Sequence, residues 1–121
     1  MLQIYPYKGI NISIIFVSDN DLLSMNKTHL HHDYYTDILT FNLSNLQDFL
    51  FAELYISVDR VKDNAQLLGF SYDHELLRVI FHGILHLLGF SDKSVNETRR
   101  MRTKEDEWLN LFNKGIPHNN P

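Results

Sequence analysis

Three side chains in the run Phe81-His82-Gly83-Ile84-Leu85-His86-Leu87-Leu88-Gly89-Phe90-Ser91-Asp92 have the types and spacing of ligands to one metal ion. Imidazoles four residues apart lie on one face of a helix, about a turn from each other, so His82 and His86 can reach the same cation. Gly89 ends that helix, because a residue without Cβ takes the left-handed conformation that turns the chain back. The return brings Asp92 within reach. Three protein ligands leave one coordination position for water, the arrangement of a catalytic centre, whereas structural zinc is usually closed by four. A lone histidine on an apolar helix is more often a core residue bonded to a carbonyl. Two of them, on the most apolar stretch of the chain, cost on the order of a few kcal/mol to bury unless something satisfies their nitrogens. A metal does so directly, and the residues therefore point to an enzyme.

Two nitrogens and one oxygen suit zinc best, with manganese, nickel or iron as alternatives. The chain has no cysteine, which removes thiolate ligands, disulfides and a cysteine nucleophile and fits a reducing cytosol. Gly83 follows His82, so the glutamate that acts as general base in His-Glu-x-x-His metalloproteases is absent, which weighs against peptide hydrolysis. Activation of water would then fall mainly to the ion, which can lower the water pKa to about 7, an effect that an anionic Asp92 blunts.

The elements that must position these ligands follow from periodicity. At 121 residues, 44% hydrophobic and 21% charged, the chain suits a single domain over 1–121, with 113–121 expected as a frayed tail. A formal net charge of −4 argues against a general nucleic-acid coat. No apolar run approaches the roughly 20 residues of a membrane span, and the start lacks the pattern of a signal peptide, so a cytoplasmic location is expected. Residues 11–17, 37–43 and 50–57 read as strands, two of them expected to pair as a hairpin. Ser18 and Asp19 offer an N-cap to a short helix with Leu22, Leu23 and Met25, and residues 29–36 read as a loop. A helix is expected from Val58 to Leu68, stopped by Gly69. Tyr72 to Leu88 is apolar nearly all round, the mark of a central, buried helix. Ser94-Val95-Asn96-Glu97 is a capping box that starts a last, charged helix through about Phe112, with Met101, Trp108, Leu109 and Phe112 on its inner face.

The run from His82 to Phe90 resembles the signature of the YbeY family of metal-dependent endoribonucleases, His-Gly-x-Leu-His-Leu-x-Gly-Tyr-Asp-His. Upstream, Thr36-Asp37-Ile38-Leu39-Thr40-Phe41 is similar to that family's Thr-Asp-Val-Leu-Ser-Phe strand, and Ala52-Glu53-Leu54-Tyr55-Ile56-Ser57 to its Gly-Asp-Ile-x-Ile-Ser strand, so the likeness covers about residues 12 to 112. It implies an α+β, zincin-like metal-dependent hydrolase fold, a small mixed sheet packed against helices around a central metal-binding helix. It further implies a zinc-dependent endoribonuclease specific for single-stranded RNA, acting in 16S rRNA 3′-end maturation and ribosome quality control, with rRNA of the small subunit and ribosomal proteins as partners. Three departures stand out. Asp92 occupies the place of the family's third histidine ligand; Leu30 occupies that of an arginine associated with RNA phosphate; and the segment before residue 11 is short, which would leave one sheet edge bare or paired with another chain.

Arg78, one turn before His82, could substitute as a phosphate cation or pair with Glu75, and no catalytic role is assigned to it. His29, His31 and His32 read as an exposed loop that could line a substrate path. Lys93, Arg99, Arg100, Arg102 and Lys104 stand among Glu97, Glu105, Asp106 and Glu107, the pattern of a solvated helix face. Ser57 reads as a helix cap rather than a site residue. Two other functions fit the same residues: a metal hydrolase of another substrate, and a non-catalytic, RNA-binding ribosome-assembly factor whose metal is structural.

Overall fold

The computed structural model describes residues 7–45 and 48–115. The elements run β1 (Gly9–Val17), α1 (Asp19–Leu30), β2 (Ile38–Asn42), β3 (Phe49–Ser57), α2 (Val58–Leu68), α3 (Tyr72–Leu87) and α4 (Val95–Gly115). The three strands form one sheet in the order β1-β3-β2. β3 is central, parallel to β1 from Gly9↔Phe49 to Val17↔Ser57 and antiparallel to β2 from Ile38↔Ile56 to Asn42↔Ala52. The α+β architecture is thus the expected one, and β2 and β3 are the strands that form the hairpin. The outer edge of β1 meets no described strand, and Phe16 there is 52% exposed.

Strand side chains alternate between faces. Leu50, Ala52, Leu54 and Ile56 of β3 are buried on the face that receives α2 and α3, where Ile56 packs with Val61 and Val79. The opposite face carries Phe41 and Tyr55, whose rings meet edge to face at 5.6 Å, and His29 of α1 meets Phe41 from above at 5.8 Å. α4 forms the outermost layer: Met101 and Trp108 pack with Leu85 of α3, and Phe81 meets Trp108 at 5.6 Å.

α3 is therefore sandwiched between the sheet and α4, which explains apolar residues on all sides of it. Its full burial was an overstatement: Val79 and Leu85 are buried, while Leu76, Leu77, Ile80, Phe81, Ile84 and Leu87 keep partial exposure. Closest approach to the sheet falls at Gly83, where a Cβ would stand 2.5 Å from Ile38 Cδ1, 3.2 Å from Leu54 and 3.3 Å from Thr40. A glutamate at that position has no room, so its absence is a packing requirement as well as a chemical clue.

The helix ends follow local chemistry. Ser18, Ser57 and Ser71 each accept a backbone N–H of the first turn of α1, α2 and α3. Ser94 and Glu97 cap each other reciprocally at 3.1 Å, as the capping box requires. α1 is longer than expected, reaching Leu30 before His31 turns the chain in the left-handed region. α4 continues past Phe112 to Gly115, and the remainder of the expected tail, 116–121, lies outside the described residues. Among the described residues no helix is long and apolar enough to cross a membrane.

A candidate metal centre in a cleft at the sheet edge

The last turn of α3 is closed by a Schellman motif. Gly89 takes φ +103°, its N–H reaches His86 O at 3.0 Å, and Phe90 N–H reaches Leu85 O at 3.0 Å. Phe90 also packs onto the Leu85 cluster, fixing the exit of the chain. Two results follow for chemistry. Phe90 O comes to lie 3.0 Å from His86 Nδ1, and Asp92 is carried back over the end of the helix.

His82, His86 and Asp92 are brought together. Their Nε2 atoms stand 2.9 Å apart, and Asp92 Oδ2 is 3.4 Å from each. Tetrahedral zinc with bonds of about 2.0–2.1 Å separates its ligand atoms by about 3.3 Å, so the triangle has the right size. The donor set also fits. His86 Nδ1 faces a carbonyl and His82 Nδ1 faces the Glu105 carboxylate at 2.6 Å, so both Nδ1 atoms donate their hydrogens. In the neutral rings both Nε2 atoms then carry lone pairs, and these point at each other and at a carboxylate. Three electron-rich atoms turned to one point repel unless a cation lies among them.

Behind His82 runs a buried ionic chain that the sequence reading missed. Glu105 is 1% exposed and joins His82 on one oxygen and Arg78 Nη1 on the other at 3.1 Å. Arg78 in turn grips fully buried Glu75 through two bonds of 3.0 and 2.6 Å. Glu105 was expected on a solvated face with Glu97, Asp106 and Glu107; it is instead the acidic member of the inner face made by Met101, Trp108 and Leu109. That spacing of four and three residues was the available signal. Arg78 is the partner of Glu75 and Glu105 and is not free to meet phosphate. Burial opposes charge on His82, Arg78 and Glu105, but their mutual bonds prevail. Glu105 is held below its usual value by His82 and Arg78, and the Glu105 bond, with Asp37 and Asp92, raises His82.

The triad opens into a cleft of about 480 Å³ along the edge of β2 that meets no described strand. Its other lining residues include Asn26, Leu30, His32, Tyr34, Thr36 and Asp37. Burial pushes the Asp37 carboxyl up, against the lowering influence of His82 and Arg78. Of the loop histidines, His32 lines the cleft, whereas His29 lies against Phe41 and His31 caps α1. Ser57 accepts from Arg60 N–H and donates to Asp19 at 3.0 Å, a cap outside the cleft. Arg102 and Lys104 pair with Glu105 and Glu107, and Lys93, Arg99 and Arg100 are exposed.

A small α+β domain whose central helix and following turn gather two imidazoles and a carboxylate is a candidate single-ion metalloprotein. More particularly, the chain belongs to the endoribonuclease YbeY family, whose model matches residues 2–113. It is 49% identical over 105 residues to an endoribonuclease YbeY of Cytophaga hutchinsonii, covering 87% of this chain and 73% of that protein. The corresponding proteins of Flavobacterium psychrophilum and Bacteroides thetaiotaomicron are 45% and 47% identical over 84% and 81% of this chain and 71% of each relative. The fold matches the solution structure of TM1509 from Thermotoga maritima with a TM-score of 0.55 and 27% identity, covering 93% of this chain and 79% of that one.

Proposed function

We propose that this chain is a zinc-dependent, single-strand-specific endoribonuclease, acting as one domain in the cytoplasm in 16S rRNA 3′-end maturation and ribosome quality control. His82, His86 and Asp92 are its metal ligands. The observation that carries the reading is the convergence of two imidazole lone pairs and a carboxylate, 2.9 to 3.4 Å apart, at the floor of an open cleft. The names of the relatives supply the substrate class, RNA, and the nitrogen and oxygen donors favour zinc.

A zinc ion held there would supply Lewis-acid stabilisation of charge developing on a phosphoryl oxygen. The chain's own residues do the rest. Glu105 and Phe90 O fix the rotation of the two imidazoles, so no reorientation is needed as charge develops. Asp37, in the same cleft and with its carboxyl raised by burial, is placed to take a proton from attacking water. The β2 edge leaves the cleft open sideways, which suits a chain-like substrate with unstacked bases.

The test is cleavage of a single-stranded RNA oligonucleotide by metal-loaded protein, beside His86→Ala and Asp92→Ala. One zinc per chain, lost in both variants together with cleavage, is expected. Binding of RNA with no cleavage by the wild type would favour an assembly factor with a structural metal. Turnover of peptides or esters but not RNA would favour a hydrolase of another substrate.

A further inference from the structure

The wall of the cleft opposite α3 is made by the loop that follows α1, and it is aromatic. The rings of His32 and Tyr34 stack at 5.2 Å with only 18° between their planes, and Tyr34 Oη lies 3.0 Å from His32 Nδ1. Tyr34 is nevertheless 55% exposed. With His32 covering one face of the phenol, that exposure falls on its other face and edges.

This exposed pair is held in place. Asn26, 1% exposed in the second half of α1, donates through Nδ2 to Tyr34 O at 2.9 Å, while its backbone carbonyl accepts His32 N–H at 3.1 Å. An ordered aromatic surface at a cleft mouth loses little conformational entropy when a flat group is laid on it. Charge points the same way. Among the described residues that line the cleft there is no lysine or arginine, and two are aspartates. Arg78, the nearby cation on α3, is consumed by Glu75 and Glu105. Affinity for a polyanion from neutralised phosphates is therefore not available from this wall. Stacking, which needs no charge and tolerates any base, is.

We propose that Tyr34, backed by His32, is the base-stacking platform of the cleft, seating one nucleobase of a single-stranded polynucleotide next to the phosphate presented to the triad. The inference rests on the endoribonuclease reading and adds a residue that selects how the strand is seated. Tyr34 is a substrate-binding residue in this scheme, not a group that moves a proton.

The test uses one RNA sequence in which a single abasic nucleotide is stepped across the cleavage site, cut by wild type, Tyr34→Ala and Tyr34→Phe. For the wild type, KM should rise about 5- to 150-fold at one abasic position, the range of a lost base–aromatic stack. Tyr34→Ala should raise KM for intact RNA by a similar factor and become insensitive to the abasic site at that position. Tyr34→Phe, which keeps the ring, should restore both. Thermal unfolding of the three proteins should coincide, because the side chain is exposed. RNA cleavage by Tyr34→Ala with the wild-type abasic profile would overturn the proposal. Failure of the wild type to cut any RNA would instead overturn the endoribonuclease reading beneath it.

Discussion

On the α3 side of the cleft, His82 and His86 hang from a helix clamped between sheet and α4, and a chain of three charged groups, Glu105, Arg78 and Glu75, holds His82 from behind. On the facing side, His32 and Tyr34 stand on a loop secured to α1 by the side chain and carbonyl of one asparagine. The first wall is over-determined: packing, helix termination and paired charges all specify the same imidazole positions. The second is specified by a few hydrogen bonds and leaves its rings in water. A metal centre tolerates displacements of only a few tenths of an ångström, whereas a ring that stacks on any base needs to be held ready but not matched to one partner. The division of labour between helix and loop follows from those two demands.

Glu105→Ala should break this contrast most severely. It strips the buried acceptor from His82 Nδ1 and from Arg78 Nη1, and breaking such a pair costs about 3–5 kcal/mol. Loss of the outer partner of His82, the proposed metal ligand, should also weaken metal affinity about 10- to 100-fold. Glu105→Gln, which keeps one acceptor oxygen, should recover part of both. Urea unfolding and competition with a chelator measure the two quantities, and wild-type values in both for the alanine variant would show that the rigid wall does not depend on this chain.

Asn26→Ala sharpens the comparison from the other side. The amide donates one bond to Tyr34 O, and its Oδ1 has no partner among the described residues, so its removal loses a bond and relieves an unsatisfied atom. A net loss of about 0.5–1.5 kcal/mol is expected. Metal affinity should not change, while KM for RNA should rise because the aromatic pair is released. A fall in metal affinity equal to that of the glutamate variant would mean that the two walls are mechanically one.

The same contrast separates what could be read from the chain. The gathering of His82, His86 and Asp92 was legible because helical spacing, a left-handed glycine and a nearby carboxylate are local features, all within residues 82–92. The helix from Val58 to Leu68 and its stop at Gly69 were legible for the same reason. Glu105 was not, since a carboxylate among Lys104, Asp106 and Glu107 looks solvated until the 101-105-108 stripe is weighed above its immediate neighbours. The loop was the least legible. No periodicity governs residues 31–36, and the pairing of His32 with Tyr34 depends on Asn26, which belongs to another element. Partial exposure along α3 was also hidden, because an apolar sequence records what a helix tolerates and not how much covers it.

Asp37 stands where the two walls meet, at the start of β2, and gives the smallest effect on stability. Its carboxyl is raised above 3.8 by burial, with Glu75 adding to the rise and His82 and Arg78 opposing it. The folded state thus binds this proton more tightly than the unfolded chain does. The contribution of Asp37 to stability is at its best below 3.8, declines as pH rises through the interval up to the raised folded value, and stays at its minimum above it. Asn cannot ionise and avoids that decline. Metal-free Asp37→Asn should therefore melt a few degrees above the wild type at neutral pH, about 1 kcal/mol or less, with the difference vanishing below pH 3.8. Glu105, held below 4.5, has the opposite sign: its contribution is present above that value and is lost as pH falls through the lowered one. If Asp37 takes part in proton transfer as proposed, the same variant should lose cleavage while gaining stability. Equal melting of the two proteins at every pH would show that the side chain is not desolvated, and full cleavage by the asparagine variant would remove Asp37 from proton transfer.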